Sequence, residues 1–515
     1  MRLSSLPAIT PPLLSPVPEL VGCEMKKLIA IFSLILMVHP TFGEQGRLNF
    51  VLVIMDDLRA QGLSIYGDNA MITPNIDALS AEGVVFDYAI ANFPACGASR
   101  ASLFTGLRPT NNRFTFAGTR IDEDTPTVKT LPEYLKDHGH TTASIGKVFH
   151  SANDSDQAWS LPRVDFRVGQ KHPKNYLMAE NIEAQMNCEA KGTCVGKSKK
   201  SGAAPAFEIG KVEDDAYFDG RVAQAAVTAL EKFRKNPAKP FFLSVGFYKP
   251  HLPFNAPEKY WNMYNRDSIV MSASPDKPKH VPRNPWHGSG ELRKFTGIPQ
   301  TANLWVQNVP KNLTRTLIHG YYAATSYVDA QLGRIIDKLD NLGLAENTMV
   351  ILISDHGYNL ADHTLWNKHT LFNVAIQSPL VVHGPNVPKG ARVMGPVEYV
   401  DIYPTILQLA ELDFPNHLEG NGFAKNLSNP SLPTKQFVYA RYKNGESISD
   451  QRFSYTAWLD NRYSVTAHML YDRKVDPLET VNVAENDEYS PVVKKLREKL
   501  LSHVKQREER AQNFL

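Results

Sequence analysis

"NFVLVIMDD", residues 49–57, is the stretch whose reading decides the fold. From Phe50 to Met55 it is unbroken apolar sequence rich in β-branched residues, and it stops on two adjacent carboxylates, Asp56 and Asp57. A strand with one face in water alternates polar and apolar side chains. A strand covered on both faces does not, so this run predicts a buried parallel strand under helices on either side. Similar runs recur at "GVVFDYAIA" (83–91), "HTTASIG" (140–146), "PFFLSVGF" (240–247), "TMVILIS" (348–354) and "SPLVVHG" (378–384).

Helical patterns fall between these runs. Thr73-Pro74-Asn75 reads as a helix start, with Thr73 as N-cap and proline at the first position. "TLPEYLKDHG", "DGRVAQAAVTALEKFRKN" and "YYAATSYVDAQLGRIIDKLDNLG" carry helical periodicity. Alternating strand and helix predict an α/β sandwich around a large, mostly parallel central sheet. The pattern changes near residue 430. "QFVYARYKNG", "FSYTAWLD" and "YSVTAHMLYD" read as a short antiparallel meander, and the charged helix "SPVVKKLREKLLSHVKQREERAQ" follows. The expected organisation is a catalytic domain over 44–430 and a smaller C-terminal antiparallel-sheet subdomain over 431–515.

The 515 residues are 43% hydrophobic and 21% charged, with a formal net charge of +3, an ordinary globular balance. Lysine and arginine are spread along the chain, which argues against a nucleic-acid partner; Lys197, Lys199 and Lys200 read as a solvated loop. "MKKLIAIFSLILMVHPTFG", residues 25–43, has the basic start, short apolar stretch and small residues of a signal peptide. Residues 1–24 then read as an over-called start. The apolar stretch is short for a membrane span. The expectation is an exported protein, periplasmic or secreted, that is not an integral membrane protein. In an oxidising compartment Cys188 and Cys194, close together in "NCEAKGTCVG", favour a small disulfide loop over a metal site. Cys96 is left as an odd thiol and a candidate for chemistry.

Two distant segments share one layout. "VLVIMDD" ends a strand on Asp56 and Asp57, and "MVILISDHG" ends another on Asp355 and His356. Ligands gather at the carboxyl ends of strands in open α/β sheets. Either pair alone reads as a cap or a turn. Together, three carboxylates at one sheet edge repel one another unless a cation lies between them. Oxygen donors suit Ca²⁺ or, second, Mg²⁺, whereas His356 suits a hard cation less well.

"CGASR" at 96–100, followed by "LFTGLRP", resembles the signature of the formylglycine-dependent (type I) sulfatases: Cys, any residue, Pro or Ala, any residue, Arg. Ala98 is the less common choice at the third place. The resemblance runs from about Asn49 to Asn486 and includes "TPNIDALSAEGVVFDYAIA", "SIGKVFH", "FYKPHLPF", "ISDHGYNLADHTLWNKHTLFN", "VDIYPTILQLAEL" and "LYDRKVDPLETVNVAEN". Within the family His356, "GKVFH", "KPHLPF" and "LWNKHTLFN" are most similar to the iduronate-2-sulfatase branch.

The resemblance implies an alkaline-phosphatase/sulfatase-like sandwich and hydrolysis of sulfate esters. It implies that a formylglycine-generating or anaerobic sulfatase-maturing enzyme oxidises Cys96 to formylglycine (3-oxoalanine). The hydrated aldehyde would attack sulfur through one hydroxyl, and loss of a proton from the other would expel sulfate. One Ca²⁺ would be held by Asp56, Asp57, Asp355, His356 and the modified Cys96. Arg100, one helical turn past Cys96, would hold the diol and support the metal carboxylates. Lys147 and Lys368 would contact sulfate oxygens, His150 would assist the diol proton, and His251 would protonate the leaving alcohol. Asp362 and His363 either line the substrate pocket or cap the following segment, and Tyr358 is a further residue expected to face substrate. A sulfated carbohydrate is the implied partner, with a 2-O-sulfated uronic acid as the leading substrate. The competing readings are a phosphomonoester or phosphonate hydrolase of the same superfamily and an inactive glycan-binding homologue.

Overall fold

The computed structural model describes residues 47–168, 176–190, 204–299 and 309–512, the side chains of 188–190 excepted. The expected signal peptide and the Cys188–Cys194 pairing therefore lie outside the described residues.

Seven strands form the central sheet: β1 (Asn49–Asp56), β2 (Val84–Phe86), β3 (Thr141–Gly146), β4 (Phe241–Pro250), β5 (Thr348–Ser354), β6 (Leu380–His383) and β7 (Ala391–Val393). Their order is β7-β2-β6-β5-β1-β4-β3. β1 pairs in parallel with β4 and β5, and β3 with β4. The expected mostly parallel sheet is found, with β6 running against both β5 and β2.

Side chains of β1 divide by parity between the two faces, because successive residues of a strand point to opposite sides. Val51, Val53 and Met55 enter one core with α1 (Pro74–Ala81), α4 (Phe218–Arg234) and α5 (Lys311–Asn341). Phe50, Leu52 and Ile54 enter the other with α2 (Cys96–Thr105) and α3 (Leu131–Asp137). Every residue of β1 is buried, as an unalternating apolar run requires. α1 begins where the sequence indicated, with Pro74 at its first position. Thr73, however, makes no side-chain cap bond. The carboxylate of Asp329, from α5, accepts from the amides of Asn75 (3.1 Å) and Ile76 (2.8 Å) instead.

The C-terminal sheet has four strands in sequence order: β8 (Val438–Tyr442), β9 (Gly445–Ser449), β10 (Phe453–Leu459) and β11 (Val465–Asp472). β9 was not visible in the sequence, since "GESIS" carries a single large apolar residue. It turns back from β8 through Lys443, whose φ is +54°. Helix α6 (Ser490–Ala511) packs Leu496, Leu500 and Val504 onto Ile448, Tyr455 and Leu470. Among the described residues no helix is long and apolar enough to cross a membrane.

Candidate active site

The carboxyl ends of β1, β3, β4 and β5 converge on the first turn of α2 and supply most of the chemistry. Asp56 is the last residue of β1, and Asp57 turns away with φ +68°. Two bonds fix that turn: Leu58 N donates to Ser354 Oγ at 2.8 Å, and the Tyr321 hydroxyl donates to Asp57 O at 2.6 Å. Asp355 and His356 follow β5, Lys147 follows β3 and His251 follows β4. Cys96 opens α2 and is 2% exposed.

Arg100, one turn along α2, is fully buried and points back into the site. Its Nε lies 3.0 Å from Asp355 Oδ2 and its Nη2 3.1 Å from Asp56 Oδ1. Its Nη1 donates to the carbonyls of Lys147 and Val148, the latter at 2.9 Å. One guanidinium thus ties together the ends of β1, β3 and β5, which its planar set of donors allows and a lysine would not. Lys147 Nζ stands 2.5 Å from Asp56 Oδ2, and Lys368 Nζ 2.9 Å from both oxygens of Asp57.

Asp57, Cys96, Asp355 and His356 each place one donor atom within 4.8 Å of the others; Asp56, Asp57, Cys96 and His251 form a second, overlapping group. His356 Nδ1 lies 2.9 Å from the carbonyl of Gly357 and must donate to it, so Nε2 of the neutral ring carries the free lone pair. That Nε2 faces Cys96 Sγ at 3.3 Å and Asp57 Oδ1 at 3.5 Å. Three carboxylates, one imidazole lone pair and an arginine orienting two of the carboxylates fit a hard divalent cation.

Burial, reinforced by Asp56, pushes the Cys96 thiol well above its usual range. Burial works the same way on Asp56, but Lys147, His251 and Arg100 outweigh it and hold the carboxyl well below the ordinary range. Lys368 is desolvated yet held well above the usual lysine value by Asp57, Cys96 and Glu291. Burial and the neighbouring Lys147 push the His150 ring down to about 2, which leaves it neutral. His251 Nδ1 is 2.6 Å from Leu252 O and Nε2 is 2.7 Å from Glu291 Oε1. Both ring nitrogens thus face oxygen acceptors, which fix the plane of the ring.

Nine of the thirteen expected site residues gather here: Asp56, Asp57, Cys96, Arg100, Lys147, His251, Asp355, His356 and Lys368. His150 lies beside Lys147, and its Nδ1 has no hydrogen-bond partner among the described residues. The three residues expected to meet substrate sit differently. Tyr358 is wholly buried, its ring stacked on Tyr321 (5.4 Å) and its hydroxyl accepting from Asn367 at 2.7 Å, so it braces the site from beneath. Asp362 is paired with Arg59 at 2.7 Å, and the two line a separate cavity of about 460 Å³ with Met271, Tyr322 and Leu360. His363 is buried with its ring 4.4 Å from that of Phe372. The left-handed backbone of Ala361, His363 and Thr364 folds this segment away from the strand-end direction that the sequence suggested.

Sequence reasoning missed Glu291 and Lys249. Glu291 reaches Lys368 at 2.9 Å as well as His251. Its neighbourhood, "GSGELRKF", carries no motif. Lys249 stands inside the quoted "FYKPHLPF", so a signal existed. Its buried ammonium donates to the carbonyls of His251 (3.0 Å) and Pro253 (2.6 Å) and fixes the turn that carries His251.

The sulfatase family profile matches residues 48–412. The chain belongs to the sulfatase family. Such a sulfatase hydrolyses sulfate esters. A second profile, the C-terminal region of N-sulphoglucosamine sulphohydrolase, matches residues 361–506. The sulfatase is 29% identical to mouse (Mus musculus) iduronate 2-sulfatase over 87% of this chain and 93% of the relative, in keeping with the branch expected from the sequence. Among solved structures it resembles a protein bound to its substrate D-glucosamine-2-N,6-O-disulfate, with a TM-score of 0.68, 20% identity and coverage of 90% and 98%. It also resembles a phosphonate monoester hydrolase from Silicibacter pomeroyi, with a TM-score of 0.71, 19% identity and coverage of 90% and 96%. At those identities the two structures speak for the shared fold alone.

Proposed function

We propose that the protein is an exported glycan sulfatase that works through a formylglycine formed from Cys96 and cleaves a 2-O-sulfated uronic acid. The observation that carries the reading is the position of Cys96. It opens a helix, beside His356 and Asp57, inside a ring of Arg100, Lys147 and Lys368. The similarity to iduronate 2-sulfatase supports the choice of sugar.

Asp56, Asp57, Asp355 and His356, with position 96, would hold Ca²⁺, which supplies positive charge against the sulfate and acidifies a bound hydroxyl. Cys96, once oxidised to formylglycine, would supply the nucleophilic hydroxyl of the hydrated aldehyde. The remaining steps belong to the chain's own side chains. Arg100 keeps Asp56 and Asp355 facing the nucleophile. Lys147 and Lys368 stabilise the negative charge on sulfate oxygens as the S–O bond lengthens. His251, held between two acceptors, delivers a proton to the leaving sugar oxygen, and neutral His150 offers a ring nitrogen as a hydrogen-bond acceptor beside Lys147.

The test is turnover of 4-nitrophenyl sulfate, 4-nitrophenyl phosphate and a set of defined sulfated disaccharides, with mass spectrometry of the Cys96 peptide. The reading expects an aldehyde at position 96, preference for sulfate over phosphate, and release of sulfate from the 2-O-sulfated uronate. Full sulfatase turnover with an intact thiol would overturn it.

A further inference from the structure

Glu291 has contacts that a merely structural carboxylate does not need. Oε1 lies 2.7 Å from His251 Nε2, and Oε2 lies 2.9 Å from Lys368 Nζ. Those are the two side chains assigned to the leaving oxygen and to the sulfate, so Glu291 stands at the leaving-group end of the site. Oε2 is buried, and apart from the Lys368 ammonium, which also reaches Oε1 at 3.2 Å, it has no hydrogen-bond partner among the described residues. The side chain as a whole is 19% exposed, so it remains open on one side.

The segment bearing it is fixed. Trp366 N donates to Ser289 Oγ at 3.1 Å, and Leu292 N donates to Asn367 Oδ1 at 3.1 Å. Both anchors flank Glu291 and lock it to the residues just before Lys368. An acceptor oxygen held rigidly next to the reacting bond, with a lone pair to spare, selects for a donor on the leaving group.

We infer that Glu291 is a specificity-determining residue that accepts a hydrogen bond from a hydroxyl on the carbon adjacent to the sulfated carbon. The inference rests on the sulfated-sugar reading above and narrows it to esters with a vicinal hydroxyl. Aryl sulfates lack that donor, and a carboxylate in its place would be repelled.

Two variants, Glu291→Gln and Glu291→Ala, would be assayed with matured enzyme on three substrates. These are a 2-O-sulfated iduronate disaccharide, its analogue lacking the neighbouring 3-hydroxyl, and 4-nitrophenyl sulfate. The wild type should favour the hydroxyl-bearing sugar over its deoxy analogue by about 10- to 100-fold in kcat/KM, the range for a hydrogen bond to a charged group. Glu291→Ala should erase that preference, bringing kcat/KM on the hydroxyl-bearing sugar down to that on its deoxy analogue and so costing that sugar more than 4-nitrophenyl sulfate, and Glu291→Gln should retain part of it. Equal losses on all three substrates would reduce Glu291 to a support for His251 and Lys368, and overturn the inference. A wild type indifferent to the 3-hydroxyl would also overturn it. A wild type that cleaves the aryl sulfate but neither sugar would instead overturn the substrate reading itself, and the inference with it.

Discussion

Arg100 and Asp355 are joined at 3.0 Å in a pair whose side chains are 1% and 0% exposed. The same guanidinium holds Asp56 and two carbonyls that follow β3. Removing it leaves buried Asp355 without its guanidinium partner and buried Asp56 with Lys147 alone. Arg100→Ala is therefore expected to cost about 3–5 kcal/mol of stability. Denaturant unfolding checks this, and Arg100→Lys should recover only part of the loss because one ammonium cannot span three strand ends.

Cys96→Ala removes the position from which the nucleophile is made. Activity on 4-nitrophenyl sulfate should fall by about 10⁴-fold or more. Circular dichroism should be unchanged, since a small helix-opening residue is replaced by alanine, the strongest helix former.

Asp355→Ala should lose bound calcium and activity together. Chelation of the wild type should do the same, with recovery on adding calcium. Metal content by atomic emission beside the rate decides it: an inactive variant with full calcium would break the assignment of the cradle.

Lys249→Met should slow sugar substrates more than aryl sulfates. Its ammonium holds the carbonyls of His251 and Pro253, so its loss frees the turn that aims the proton donor. A nitrophenolate departs without a proton, while a sugar alkoxide does not. A fall in kcat on the sugar of about tenfold or more, with 4-nitrophenyl sulfate nearly unaffected, is the expected split.

Glu479 gives a pH prediction. It is 2% exposed, and burial raises it from 4.5 to about 7 despite the Asn373 amide and Arg473, with Asp476 adding to the rise. The folded state thus binds this proton more tightly than the unfolded chain does. Between about pH 4.5 and about pH 7 the group's contribution to stability falls as pH rises, by about 3 kcal/mol in all. Glu479→Gln should flatten that slope and melt higher than the wild type at pH 8, while the two should be nearly equal at pH 4.5.

The parallel-sheet architecture was readable from "NFVLVIMDD" alone. A short, β-branched run with no polar alternation, repeated between helical segments, points to a strand covered on both faces, and β1 is buried throughout. Asp56, Asp57, Asp355 and His356 stood out as a group because each pair ends an apolar strand, a property of neighbouring residues. Cys96, Arg100, Lys147, His251 and Lys368 were pointed to by the motifs that resemble the sulfatases, and the structure places them beside those four. Sequence alone did not separate Tyr358, Asp362 and His363 from the residues of the ring. Their direction depends on a loop whose left-handed residues obey no period. Nor did it find Glu291, Lys249's grip on the His251 turn, or Asp329 as the cap of α1. Glu291 and Asp329 meet partners tens to hundreds of residues away, which only packing brings within hydrogen-bond distance, and the Lys249 contacts, two and four residues on, depend on the turn in which the chain folds back on itself. Local pattern and motif therefore determined the strands and pointed to the groups proposed to carry the chemistry, whereas the tertiary structure decided what holds those groups, because a side chain's partners across the fold leave no trace in its own neighbourhood.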